Sequence, residues 1–308
     1  MRWAPDAERW ITRSPVLAAI ATVGLSGNPL PGRQPTATRS PACVRADSGH
    51  TAAGLYYECA GTGDDVMILI PAFSMDLRMW EGQVAWLEGA ARVIAYDLRG
   101  HGKSAAPSAP YSAVDDLLGL MDELRVASAT LIGLSNGARV ALDFALSHPE
   151  RVRAMVLAGP GVSGYVSSEP MTWMEPVISA VRAGDLGSAA ERWAETPLMH
   201  IPGDSAAAAR VRALSQDNRA IWGYRTNPEI PLDPPAIGRL GKVKVPVLVV
   251  SGENDMPNLR RLADSVVEGI PRAKLVVIPG AGHMVNLAAP AEFDAAVRAF
   301  LGGLSPPR

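Results

Sequence analysis

A serine, an aspartate and a histidine, far apart in the chain, carry the chemistry this sequence can do. Ser135 sits in G-L-S-N-G (133–137), Asp255 in S-G-E-N-D (251–255) and His283 in G-A-G-H-M (280–284). A serine hydroxyl is a weak nucleophile until a general base takes its proton, and an imidazole does this best when a carboxylate fixes its tautomer. The chain order Ser, Asp, His goes with a nucleophile held on a sharp strand-to-helix turn. Such a turn needs small neighbours, because the backbone reverses and the helix packs close to the strand; Gly133 and Gly137 supply them. Together the three side chains could attack an acyl carbonyl.

Each of the three follows a short apolar run: Ala129–Leu134 before Ser135, Val245–Val250 before Asp255, and Leu275–Ile278 before His283. Val66–Ile70, Val93–Tyr96 and Ala154–Ala158 are similar. The runs are continuous rather than alternating, as in strands covered by helices on both faces. They alternate with helical patterns such as Ala138–Leu146, which predicts a parallel sheet of βαβ units. Leu55–Cys59 and the vicinity of Cys43–Ala46 are expected as antiparallel edge strands. Open α/β sheets place their sites at the carboxyl ends of strands, where all three residues fall.

Between Ala158 and Val245 the alternation breaks. Gly161–Pro170 reads as a loop, Met171–Arg182, Ser188–Thr196 and Ser205–Gln216 as helices, and Asn227–Pro235 as a Pro-rich exit. So long a stretch without structure would be unusual in a compact domain. An inserted helical cap over the sheet edge that carries Ser135 is the natural reading. The division is then 1–45 as an N-terminal extension, 46–160 with 241–308 as the core, and 161–240 as the cap.

In the extension, Arg9 and Arg13 precede a moderately apolar stretch, Val16–Leu25, and a loop rich in Pro, Thr, Ser and Gly follows. That stretch is too short to span a bilayer and suits the core of an export signal. Against export, Asp6 and Glu8 dilute the basic region and no clear A-x-A site follows. The expectation is a poorly ordered extension on a cytoplasmic protein. Export is the alternative, and there Cys43 and Cys59 could pair.

Overall composition is globular: 48% hydrophobic, 19% charged, net charge −2. This balance points to neither nucleic acid nor an anionic membrane surface. The two cysteines and the scattered histidines (50, 101, 148, 200, 283) lack metal-ligand spacing, so no metal or other cofactor is expected.

These blocks resemble the α/β-hydrolase superfamily, in its serine esterase, enol-lactonase and haloperoxidase-like branch, over approximately residues 50–303. D-L-R-G-H-G-K-S (97–104) follows the Val93–Tyr96 run, and S-H-P-E-R-V (147–152) closes the nucleophile helix. A lone G-x-S-x-G occurs by chance fairly often; five blocks in order at strand ends do not. The resemblance implies an α/β-hydrolase fold, a mostly parallel central sheet flanked by helices with an inserted helical cap. It implies Ser135 as nucleophile, His283 as base and Asp255 as the orienting acid. It also implies an oxyanion hole built from the amide of Asn136 and one from the loop after Val66–Ile70. That loop usually begins His-Gly in the family; here it reads Pro71-Ala72-Phe73-Ser74. Pro71 has no N–H, so Phe73 is the expected second donor, with Ala72 the weaker candidate; the Phe73 ring is expected to face the acyl pocket, with a plain core role as the alternative.

Glu253 and Asp97 compete with Asp255 for the acid; Asp97 is expected instead to pair with Arg99 and brace a loop. His101, between glycines, reads as structural. The cap is rich in aromatic and sulfur side chains (Met171, Trp173, Met174, Trp193, Met199, Trp222, Tyr224), which pack the cap and in part line the cavity. Trp173, Met174, Met199 and Trp222, with Met284 beside His283, are the candidate substrate contacts, and such a lining suits an apolar substrate. The expected activity is cofactor-free hydrolysis of a small apolar carboxylic ester or lactone, with no nucleic-acid partner and no stable membrane insertion. Carbon–carbon bond hydrolysis or lyase chemistry on the same triad, or slow-turnover ligand sensing, are the alternatives. Turnover beyond one equivalent separates an enzyme from a sensor.

Overall fold

The computed structural model describes residues 47–201, 203, 205–224 and 228–304. The N-terminal extension, the edge strand expected near Cys43–Ala46 and Cys43 itself lie outside the described residues. Cys59 is disulfide-bonded. No helix among the described residues is long and apolar enough to cross a membrane.

Among the described residues, eight strands form one sheet in the order β1-β2-β4-β3-β5-β6-β7-β8. They are β1 (Asp47–His50), β2 (Tyr56–Ala60), β3 (Val66–Ile70), β4 (Arg92–Tyr96), β5 (Ala129–Leu134), β6 (Val152–Ala158), β7 (Val247–Gly252) and β8 (Ala273–Ile278). β1 pairs antiparallel with β2, and β2 antiparallel with β4; every other pairing is parallel. β2 is therefore interior rather than an edge, and among the described residues the edges are β1 and β8. Strand β7 starts at Val247 rather than Val245, because Pro246 has no amide to give to the ladder; its carbonyl accepts from Met155 N–H at 3.0 Å.

The continuous apolar runs have a direct cause. Alternate residues of β2 to β8 enter two separate apolar layers, one on each face of the sheet. Ile68, Ile70, Leu131, Leu157 and Val249 join one layer, with α2 (Ala113–Glu123), α3 (Asn136–Ser147) and α7 (Pro257–Gly269). Leu69, Ile132, Leu134, Ala158 and Val250 join the other, with α1 (Glu81–Leu87), α9 (Pro290–Gly302) and the cap. Helix α2 shows how the sequence achieves this: Ser112 caps it by accepting from Asp115 N–H at 3.1 Å, and Ala113, Leu117, Leu120 and Met121 form its buried stripe.

Between β6 and β7 lie α4 (Glu175–Arg182), α5 (Leu186–Ala194), α6 (Ser205–Asp217) and several short 3-10 turns; the remaining helix, α8, is Val285–Ala288. The first cap helix is shorter than the expected Met171–Arg182. A 3-10 turn occupies Thr172–Met174 and α4 begins afresh at Glu175, with Pro176 in its first turn, where its missing N–H costs nothing. The apolar side chains of these helices, among them Val177, Trp193, Val211 and Leu214, merge with the second layer of the core.

Candidate functional site

Ser135 links β5 to α3 with φ 55° and ψ −110°, a strained conformation for a residue with a side chain. The two glycines beside it are required by contact distance. A β-carbon on Gly133 would fall 2.4 Å from the carbonyl of Gly137, and one on Gly137 would fall 2.1 Å from Ile70 O. The turn is pinned by Ser135 N–H donating to Ala158 O (2.9 Å) and by Ser135 O accepting from Arg139 N–H and Gly161 N–H (3.1 Å each).

His283 and Asp255 meet. Nδ1 of His283 lies 2.8 Å from Oδ2 of Asp255, and both side chains are buried. Since a carboxylate only accepts, Nδ1 carries the proton and Nε2 presents its lone pair. Nε2 is buried and makes no hydrogen bond among the described residues. The ring packs against Gly159, where a β-carbon would fall 2.9 Å from Cε1 and Nδ1. Gly159 follows Ala158, which holds the Ser135 amide, so the elbow and the imidazole flank the same end of β6. Glu253, the rival acid, is occupied elsewhere: it accepts from Gly280 N–H at 2.9 Å and so ties the Asp255 loop to the His283 loop.

Across the site, the loop after β3 is bound to the cap. Ser74 adopts φ 65° and is fully buried, and its Oγ accepts from Trp193 Nε1 at 2.5 Å. Ala72 N–H points at Met79 Sδ (3.3 Å), which removes it as a donor for substrate. The amide of Phe73 and that of Asn136, first residue of α3, donate to no described residue. The Phe73 ring meets His101, Trp193 and Trp222 edge to face, with centroids 5.8, 5.7 and 5.3 Å away. Trp173 and Trp222 lie partly buried against the apolar layer that contains Met174, Met199 and Met284, so all five candidate contacts belong to one layer with Leu134 and Ala158. His200 is exposed.

Two polar arrangements differ from the sequence reading or were missed by it. Asp97 does not pair with Arg99. Its carboxylate accepts from Leu77 N–H and Lys103 N–H (2.8 Å each), while Arg99 makes a two-pronged pair with Asp116. Burial pushes the Asp97 carboxyl up to about 6 despite those two amides. Behind the elbow, Arg139 donates to Asn136 Oδ1 (2.8 Å), Asp143 (3.0 Å) and Glu229 (2.6 Å), and Ser163 donates to Asp143 (2.6 Å). Burial opposes the Arg139 charge, but the carboxylates of Glu229 and Asp143 outweigh it and raise its pKa. Asn136 is thereby linked to Glu229, on the segment that returns from the cap. Only its spacing of four from Asp143 hinted at Arg139.

Among the described residues no group of three or more His, Cys, Asp or Glu side chains could hold a metal ion. The model of the alpha/beta hydrolase fold family matches residues 65–290. A candidate carbamate hydrolase, RutD, of Caulobacter sp. strain K31 is 30% identical over 82% of this chain and 97% of its own length. The 3-oxoadipate enol-lactonase 2 of Acinetobacter baylyi is 28% identical over 80% of this chain and 92% of its own. Among solved structures, an enol-lactonase from Burkholderia xenovorans LB400 superposes with a TM-score of 0.67 at 25% identity, covering 83% of this chain and all of that one.

Proposed function

Because this chain belongs to the α/β hydrolase family, we propose that it is a serine hydrolase cleaving a carboxylic ester or lactone through an acyl-enzyme. The observation that carries this reading is the buried His283–Asp255 pair, 2.8 Å apart with Nε2 unengaged, at the sheet edge that holds the strained Ser135. Ser135 Oγ attacks the carbonyl carbon and passes its proton to Nε2 of His283. Asp255 accepts from Nδ1–H and stabilises the imidazolium. The amides of Phe73 and Asn136 donate to the oxyanion as charge develops. Collapse breaks the acyl C–O bond, and the departing alkoxide takes the proton from Nε2. Water then gives a proton to Nε2 as it attacks the acyl carbon, and the second collapse returns that proton to Ser135 Oγ and frees the acid. In a lactone the alcohol and the acid stay in one molecule. His283 carries every proton, so these steps call on no metal or organic cofactor.

Two of the relatives above are named as enol-lactonases, which supports acyl–oxygen cleavage over carbon–carbon cleavage. Residues 161–240 are assigned to the cap and 46–160 with 241–308 to the catalytic core. Trp173, Met174, Met199, Trp222 and Met284 are assigned to the largely apolar wall facing the acyl group. Ser135→Ala should lower hydrolysis of p-nitrophenyl butyrate by about 10⁴-fold or more with an unchanged melting temperature. Retained activity in that variant, or a fluorophosphonate adduct mapped to a residue other than Ser135, would overturn the assignment.

A further inference from the structure

Three ring-nitrogen side chains touch Phe73, and only one of them is fully satisfied. Trp193 donates to Ser74, as described above. His101 is only 7% exposed, and its Nδ1 lies 3.1 Å from Arg99 O. A carbonyl only accepts, so Nδ1 carries the proton and Nε2 is left as a bare acceptor. Burial lowers the pKa of this imidazole, which keeps it neutral. Nε2 of His101 is buried and unbonded among the described residues, and so is Nε1 of Trp222, which can only donate. The chain on either side of His101 also abuts the segment that carries Trp222. Gly102 N–H donates to Asn218 Oδ1 at 2.7 Å, and a β-carbon on Gly100 would fall 2.9 Å from the Tyr224 ring. A buried acceptor and a buried donor without partners are both costly. A ligand group that donates and accepts at once would satisfy both.

We propose that His101 and Trp222 form a polar subsite beside the oxyanion donor Phe73, so that the preferred substrate is an ester or lactone whose acyl chain carries a hydroxyl. The hydroxyl donates to His101 Nε2 and accepts from Trp222 Nε1, while the rest of the chain lies on the aromatic wall. This rests on the serine-hydrolase reading and narrows it from a plain apolar substrate to a hydroxyacyl one.

The test compares p-nitrophenyl 3-hydroxybutyrate with p-nitrophenyl butyrate. The wild type should favour the hydroxy ester about tenfold in kcat/KM, the scale of one buried hydrogen bond left unmade. His101→Asn keeps a donor for Arg99 O and removes the Nε2 lone pair; Trp222→Phe removes the indole donor. Each should bring the ratio close to one, and either variant alone decides the matter if the other does not fold. A wild-type ratio of one, or a preference untouched in the variants that fold, overturns the proposal. Binding gives a readout independent of turnover: Ser135→Ala, followed by tryptophan fluorescence, should bind 3-hydroxybutyrate about tenfold more tightly than butyrate. Equal Kd values overturn the subsite. A wild type that cleaves neither ester counts against the serine-hydrolase reading, and the titration then decides the subsite by itself.

Discussion

The two sides of the candidate site are held in different ways. Asp255 and His283 sit on loops that follow the neighbouring strands β7 and β8, and those loops bind each other. Glu253 N–H donates to Ile278 O, Asn254 N–H to Ala281 O, and Gly280 N–H to the Glu253 side chain. Gly252 allows the approach, since a β-carbon there would fall 2.2 Å from Gly282 O. The loop with Phe73 and Ser74 instead relies on distant parts of the chain: Trp193 from α5 holds Ser74, and Asp76 accepts from Asn218 at 2.9 Å. The His283–Asp255 side, to which the proposed mechanism gives proton transfer, is thus built locally, whereas the Phe73 side, to which it gives the oxyanion, depends on the cap. Under the proposed mechanism, damage to the cap should therefore fall on stabilisation of the oxyanion and leave the imidazole–carboxylate pair in place.

Asp255→Asn attacks the local side directly. It should lower kcat about 10⁴-fold by favouring the wrong imidazole tautomer, with circular dichroism and melting temperature close to wild type. Trp193→Phe tests the dependent side: it leaves a smaller aromatic ring in place and removes the donor to Ser74. A kcat loss of about 10- to 100-fold, below the usual cost of deleting an oxyanion donor outright, is expected with a smaller change in KM. An unaltered kcat would break the comparison. Glu229→Ala releases Arg139 from the cap's return segment and should lower kcat by about three- to tenfold, an effect on the order of 1 kcal/mol. Glu229→Gln, which keeps an acceptor, should recover part of that loss.

The smallest effect concerns pH. The Asp97 carboxyl titrates near 6 in the folded protein and near 3.9 unfolded. The folded state therefore binds more protons between those values, and Asp97 withdraws stability as pH rises from about 4 to about 6. Asp97→Asn lacks this term. The wild type should lose melting temperature relative to that variant across the interval, and the difference should level off above pH 7. A constant difference would contradict the raised value.

The strands and the three residues at their ends were legible because their signals are local. Apolar runs read as buried strands wherever both faces are covered, and the glycines mark close approaches that need no knowledge of the rest of the chain. What the sequence did not disclose was partner choice. Arg99 has Asp97 two residues away and pairs with Asp116 across the fold, because the Asp97 carboxylate is turned inward to two amides. Trp193 and Trp222 look alike in sequence, yet one is pinned to Ser74 and the other has its N–H unbonded among the described residues. Glu229, far from the elbow in sequence, became part of its setting only when the cap folded back.

The merging of cap and core into one apolar layer bears on engineering. Leu134 and Ala158, at the ends of central strands, share that layer with Val177, Val211 and Leu214 from the insertion. Excising the insertion, or grafting one from another hydrolase, would expose greasy surface next to the elbow itself. Selectivity in this scaffold is better altered one side chain at a time than by exchanging the insertion as a cassette.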